Sequence, residues 1–230
     1  MGSTAQNDAA VMTMLLFLAM AVACILCAGF FVRRRARLAE SPWNSLPAHA
    51  IFPQRPSCWL AIRSATPERV RSALGLNRFA PCSWAEGMMG EHEFFISPRV
   101  NGWVIVTGLA IPTPDDDIDE CFRFLVSLSR ILGHVQFFHA HKSLHHHAWA
   151  RLDDGYVTRA YAWADGTVWN QGPKTLPEVE LGMKCFDYGE ACPINVAARN
   201  AEKVARLAAR WNFDPAAVDE RLSGVAGEPS

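Results

Sequence analysis

Residues 146–163 read HHAWARLDDGYVTRAYAW, two alternating runs around an Asp-Asp-Gly turn, and their register decides which face of a sheet is which. In the first run His147, Trp149 and Arg151 alternate with Ala148, Ala150 and Leu152. In the second, Val157, Arg159, Tyr161 and Trp163 alternate with Tyr156, Thr158, Ala160 and Ala162. A two-residue Asp154-Gly155 turn sets Trp149 and Arg151 beside Thr158 and Ala160. A three-residue Asp153-Asp154-Gly155 loop with Gly155 left-handed sets them beside Arg159, Tyr161 and Trp163. The second arrangement is expected, because it collects the alanines on one flat face that a helix can approach. It gathers the large amphipathic side chains on the other.

Further strands flank the hairpin. Ala164-Asp165-Gly166 turns the chain into a strand at 167–170. Upstream, Ile118, Cys121, Phe122, Leu125, Leu128 and Leu132 form an apolar stripe at helical spacing, ended by Gly133. Asp115, Asp116, Asp117, Asp119 and Glu120 crowd the positive N-terminal end of that helix. The run lacks the glycine and distal Glu of a calcium loop, so dipole complementarity accounts for it. Thr66 as N-cap, Pro67 at N1 and Gly75 bound an earlier helix. Strands are expected at 58–63, 94–96, 103–107 and 135–138. The order is then β-α-β-β-α-β, the split, ferredoxin-like sequence. Helices at 195–211, striped by Val196, Asn200, Val204, Leu207 and Trp211, and from Asp214 close the chain. The fold class is α+β with a mainly antiparallel sheet, extended by a β-meander and C-terminal helices.

The N-terminus is of another kind. Ala9 to Val32 is apolar at every position except Thr13, long enough for one transmembrane helix. Met1 to Ala10 has no Lys or Arg, as a signal peptide would require, and Arg33, Arg34, Arg35 and Arg37 follow at once. The positive-inside rule then places the C-terminal domain in the cytosol of a bacterium, anchored through the lipid bilayer of the inner membrane. The organisation expected is a short tail at 1–8, the span at 9–32, and a basic then Pro-rich tether at 33–56. A single domain at 57–222 and a flexible tail at 223–230 complete it. Five of the 22 basic and two of the 23 acidic residues precede position 56, leaving 17 against 21 beyond it. That balance argues against nucleic-acid binding.

Five of the eight histidines lie between 139 and 147. His139, His141, His145 and His147 are the candidate ligands of a metal site, on which a metal-dependent hydrolase is the alternative reading. No H-E-x-x-H, Gly-rich phosphate loop or G-x-S-x-G elbow is present, and no cofactor is expected. Cys82, in Pro81-Cys82-Ser83-Trp84, can serve as a thiol nucleophile beside a histidine, a pairing that a chain with seven Cys and eight His offers freely. The cysteines have no repeated spacing, so neither a disulfide framework nor a zinc cage is implied.

Pro81-Cys82-Ser83-Trp84-Ala85-Glu86-Gly87, Ile96-Ser97-Pro98 and Gly102-Trp103 form one set of motifs. His147 to Arg151, Arg159 to Trp163, Trp169-Asn170-Gln171-Gly172 and Trp211-Asn212-Phe213-Asp214-Pro215 form another. Over residues 57–222 they resemble an uncharacterised family of bacterial proteins. That family has no assigned activity, so the resemblance implies no residue roles. The residues themselves favour a binding or interaction module, a sensor or immunity-type partner. Trp149, Arg151, Arg159, Tyr161 and Trp163 are expected to meet a protein or a small anionic or planar ligand. If the C-terminal helices cover that face through Val204, Leu207 and Trp211, the same five residues become core.

Overall fold

In a computed structural model, the structure describes residues 56–63, 65–211 and 223–229. The expected span at 9–32, its flanking tail, the tether to Arg55 and the helix from Asp214 lie outside the described residues. Among the described residues no helix is long and apolar enough to cross a membrane.

The elements run β1 (Cys58–Arg63), α1 (Pro67–Ala73), β2 (Leu76–Ser83), α2 (Trp84–Met89), β3 (Phe94–Ile96), β4 (Trp103–Thr107) and α3 (Ile118–Leu132). They continue as β5 (Val135–His141), β6 (His146–Asp153), β7 (Tyr156–Trp163), β8 (Thr167–Gln171), α4 (Leu176–Glu180), α5 (Ile194–Arg210) and β9 (Ser223–Pro229). The class is α+β, with a large antiparallel sheet and few helices. Its nine strands lie in the order β2-β9-β3-β4-β1-β5-β6-β7-β8, and every pairing is antiparallel.

Local chemistry sets the helix ends. Thr66 Oγ1 accepts from the Arg69 amide at the start of α1, and Asp117 Oδ1 accepts from the amides of Asp119 and Glu120 at the start of α3. The acidic run is therefore a helix cap.

The sheet separates two layers of helices. On one face Leu60, Ile62, Val106, Phe137, Ala148, Ala150, Ala160 and Ala162 pack beneath α1 and α3, through Val70, Cys121, Leu125 and Leu128. On the other, Trp59, Phe138, Trp149, Tyr161 and Trp163 meet α5, through Ala197, Val204, Leu207 and Ala208, with Trp211 just beyond it. Further along that second face Ala61, Phe95, Trp103 and Ile105 meet Trp84 and Met88 of α2.

The β6–β7 hairpin reaches its register by an unexpected device. Asp154 and Gly155, with φ of 49° and 87°, form a two-residue turn, closed by the Asp153–Tyr156 and Leu152–Val157 pairs. The register then shifts by one, so that Arg151 faces Arg159, Trp149 faces Tyr161 and Ala150 faces Ala160. Thr158 is the extra residue of a β-bulge, and its hydroxyl donates to the Arg151 carbonyl at 3.0 Å. The side chains thus face as a three-residue loop would set them.

Four elements depart from the sequence reading. β2, α2 and α4 were not expected, and residues 223–229, expected within a flexible tail, are strand β9. That strand fills the gap between β2 and β3. It escapes notice because SGVAGEP has small residues and no strand-like alternation. Its glycines are what let it fit: a Cβ on Gly224 would stand 2.3 Å from the Ile96 carbonyl and 2.7 Å from the Phe95 ring.

Candidate functional site

Helix α5 covers the β5–β6 part of the aromatic-arginine face, and α4 with Cys185 and Phe186 covers the β7 part. Trp149 and Tyr161 are wholly buried, Arg159 is 2 % exposed and Trp163 8 %. Arg151 is partly exposed and lies over the Trp211 ring, 5.4 Å from its centroid. As a surface for a partner this face is closed, and its side chains form a layer of core.

The buried Arg159 answers to Glu178, which α4 carries into the interior and which has no exposed surface. Arg159 Nε donates to both Glu178 oxygens at 2.9 and 3.1 Å, and its Nη2 lies 2.9 Å from Oε1. Trp149 Nε1 donates to Oε1 at 2.8 Å. The amide and hydroxyl of Thr175 donate to Oε2 at 2.7 and 2.8 Å. Arg159 Nη1 reaches the carbonyls of Ala160, Gln171 and Gly172 and the Asn170 side chain. The network ties the segment after β8 to the sheet. Its charges are paired within the protein.

The four histidines proposed as metal ligands are not brought together. His139 and His141 point to the α3 face, His145 sits in the turn before β6 with φ of 58°, and His147 points to the α5 face. The His147 Nδ1–H donates to the His145 carbonyl at 2.8 Å, and its Nε2 accepts from Asn200 Nδ2 at 3.3 Å. Both nitrogens of the neutral ring are thus used. Burial pushes its pKa down to about 4. His139 instead meets Asp115, 2.9 Å from Nε2 to Oδ1, in a contact whose atoms are not aligned as a hydrogen bond. His146 Nδ1 lies 3.4 Å from the other Asp115 oxygen. Burial alone would raise the Asp115 carboxyl, but the His139 ring against it outweighs that and holds the group well below the usual carboxylate range. Among the described residues no three His, Cys, Asp or Glu side chains are placed to hold a metal ion.

The opening lies elsewhere. A cleft of about 910 Å³ runs beside the edge strand β2, between α2, the chain entering β3, and β9. Its apolar lining includes Phe79 and Met89, each 49 % exposed. Glu86, Glu91, Glu93 and Glu228 line it against Arg78 and His92, so the cleft is acidic. Cys82 lines it while only 6 % exposed, packed beside Trp84 and Met88, and its Sγ stands 3.4 Å from His92 Nε2 and 3.9 Å from Glu86 Oε2. The Glu86 carboxylate also accepts from the Ser83 amide at 3.0 Å and hydroxyl at 2.8 Å, closing a capping box on α2. The box lowers its pKa. Gly90, left-handed with φ of 72°, ends α2 and turns the chain so that His92 returns over Cys82.

Sequence reasoning reached Cys82 but not its partner. The Ser83-x-x-Glu86 spacing is the signal that marks a helix start there. Compared with known proteins, the chain matches no family model, no curated protein and no solved structure.

Proposed function

We propose that the chain is a membrane-anchored binding module, of sensor or immunity type, that receives its partner in the cleft beside β2. The observation that carries this reading is the contrast between the two polar regions. The Arg159–Glu178 network is closed on itself between α4 and the sheet, whereas the cleft offers exposed Phe79 and Met89 beside unburied carboxylates. Large side chains left at the rim of an opening are what binding surfaces use. Four carboxylates against one arginine favour a partner with basic groups, in place of the anionic ligand expected at the aromatic face. Trp149, Arg159, Tyr161 and Trp163 contribute from within, by holding the sheet and its covering segment rigid.

The apolar run at 9–32 and the arginines after it support a single-pass anchor in the bacterial inner membrane, with the domain on the cytosolic side. Within the sheet, the antiparallel order β3-β4-β1-β5 with α1 and α3 on one face supports reading these elements as a split, ferredoxin-like βαββαβ unit. Division of the histidines between the two faces leaves the metal-dependent hydrolase without a supporting geometry.

Capture from native membranes tests the binding site. Glu91→Lys combined with Glu93→Lys should abolish recovery of the partner, while Arg151→Ala should retain it. Retention by the first and loss by the second would return the site to the hairpin. For the anchor, a phosphatase fused after Ser230 should stay silent and a cytosolic fluorophore should be bright; the opposite pattern reverses the topology.

A further inference from the structure

We propose that Cys82 and His92 form a nucleophilic dyad that takes an acyl group from an ester or thioester whose acyl part is positively charged. The inference uses the cleft of the binding reading but needs no macromolecular partner, so the two can fail separately.

The thiol meets the geometric requirement for base-assisted attack. Its sulfur stands 3.4 Å from His92 Nε2, a nitrogen that in the neutral ring can accept the thiol proton. Cys82 lines an opening large enough for a small substrate. Glu86 sits 3.9 Å from the sulfur, and burial together with that carboxylate raises the thiol pKa. The thiol is therefore protonated at rest. Such a thiol is a poor nucleophile alone, but its thiolate, once the base takes the proton, is the more nucleophilic for its basicity. The step balances without an oxidant: Sγ bonds to the acyl carbon and the carbon–oxygen or carbon–sulfur bond breaks. The thiol proton passes to His92 Nε2 and from there to the departing oxygen or sulfur. The carboxylates of Glu91, Glu93 and Glu228 set the charge preference, since a cationic acyl group is drawn into the cleft and an anionic one repelled.

Other cysteines differ. Burial pushes Cys121 to about 12 and Cys185 to about 11, and among the described residues neither thiol is hydrogen-bonded to a histidine. Cys192 is partly exposed, and its thiol donates to the Pro193 carbonyl. It serves as an internal reference for an unassisted thiol.

The test treats the full chain in detergent with para-nitrophenyl para-guanidinobenzoate, the uncharged benzoate and the para-carboxybenzoate. Acylation at each cysteine is read by peptide mass spectrometry against time. The cationic ester should acylate Cys82 at least tenfold faster than Cys192, and the anionic ester should lose that advantage. His92→Ala, or His92→Asn if it better preserves the melting temperature, should slow Cys82 at least tenfold and leave Cys192 unchanged. A smaller fall in a variant that melts as the wild type does overturns the dyad. A Cys82 to Cys192 ratio under ten with the cationic ester overturns the proposal on the wild-type chain alone. Equal ratios for the three esters overturn the charge preference.

Discussion

Glu178 is a carboxylate with no acceptor capacity to spare: an arginine, an indole, a hydroxyl and an amide all donate to it in a site without solvent. Removing it leaves Arg159 charged and buried, so Glu178→Ala should cost about 3–5 kcal/mol in urea unfolding. Replacing an exposed rim carboxylate such as Glu91 should cost within about 0.5 kcal/mol. His147 gives a second prediction, through pH. The unfolded chain binds a proton at about pH 6.5, whereas the folded ring, neutral between the His145 carbonyl and Asn200, does so only near 4. Its contribution is present above the unfolded value and is lost as pH falls through that window, by roughly 3 kcal/mol. Asp115, with its pKa depressed, stays charged there and adds its own loss only in stronger acid. Urea midpoints at pH 7 and 4.5 should show the fall, and His147→Gln should flatten it.

Elements that announce themselves through side-chain chemistry are the ones legible in the sequence. The stripe and acidic cap of α3, the Thr66-Pro67 start of α1 and the alternation of β6 and β7 each carry a periodic or capping signal. The facing of Trp149 with Tyr161 was legible too, although Thr158, as a bulge, delivers it. β9 and the cleft were not legible. A strand built of Ser, Gly, Val and Ala has no pattern, because its fit depends on what it omits. Phe95 shows this at one point: its ring lies where a Cβ on Gly87 (2.3 Å) and on Gly224 (2.7 Å) would stand, seating α2 and β9 together. Gly87→Ala should therefore destabilise by about 1–3 kcal/mol. It should also loosen the α2 wall of the cleft, read as faster amide exchange over 84–93. Stability and exchange unchanged from the wild type would contradict this seating.

At the scale of the whole molecule, the sheet divides its labour between its two ends. Around β6 and β7 both faces are covered, by α3 on one side and by α5, α4 and the Cys185–Phe186 segment on the other, and the polar groups there serve cohesion. Toward β2 the second face is covered by α2, a helix of six residues, and the cleft opens beside it. The histidine and arginine constellations visible in the sequence belong to the first end. A pair ten residues apart, Cys82 and His92, belongs to the second. On the proposed reading the partner enters at β2 and not at the hairpin. Photo-crosslinking in native membranes tests it most directly, with a benzophenone amino acid placed in separate chains at Phe79, Met89, Leu144 and Tyr156. All four side chains are exposed, from 49 % to 77 %, so access is comparable. The account predicts one shared adduct from positions 79 and 89 and none from 144 and 156; an adduct from 144 or 156 alone would contradict it.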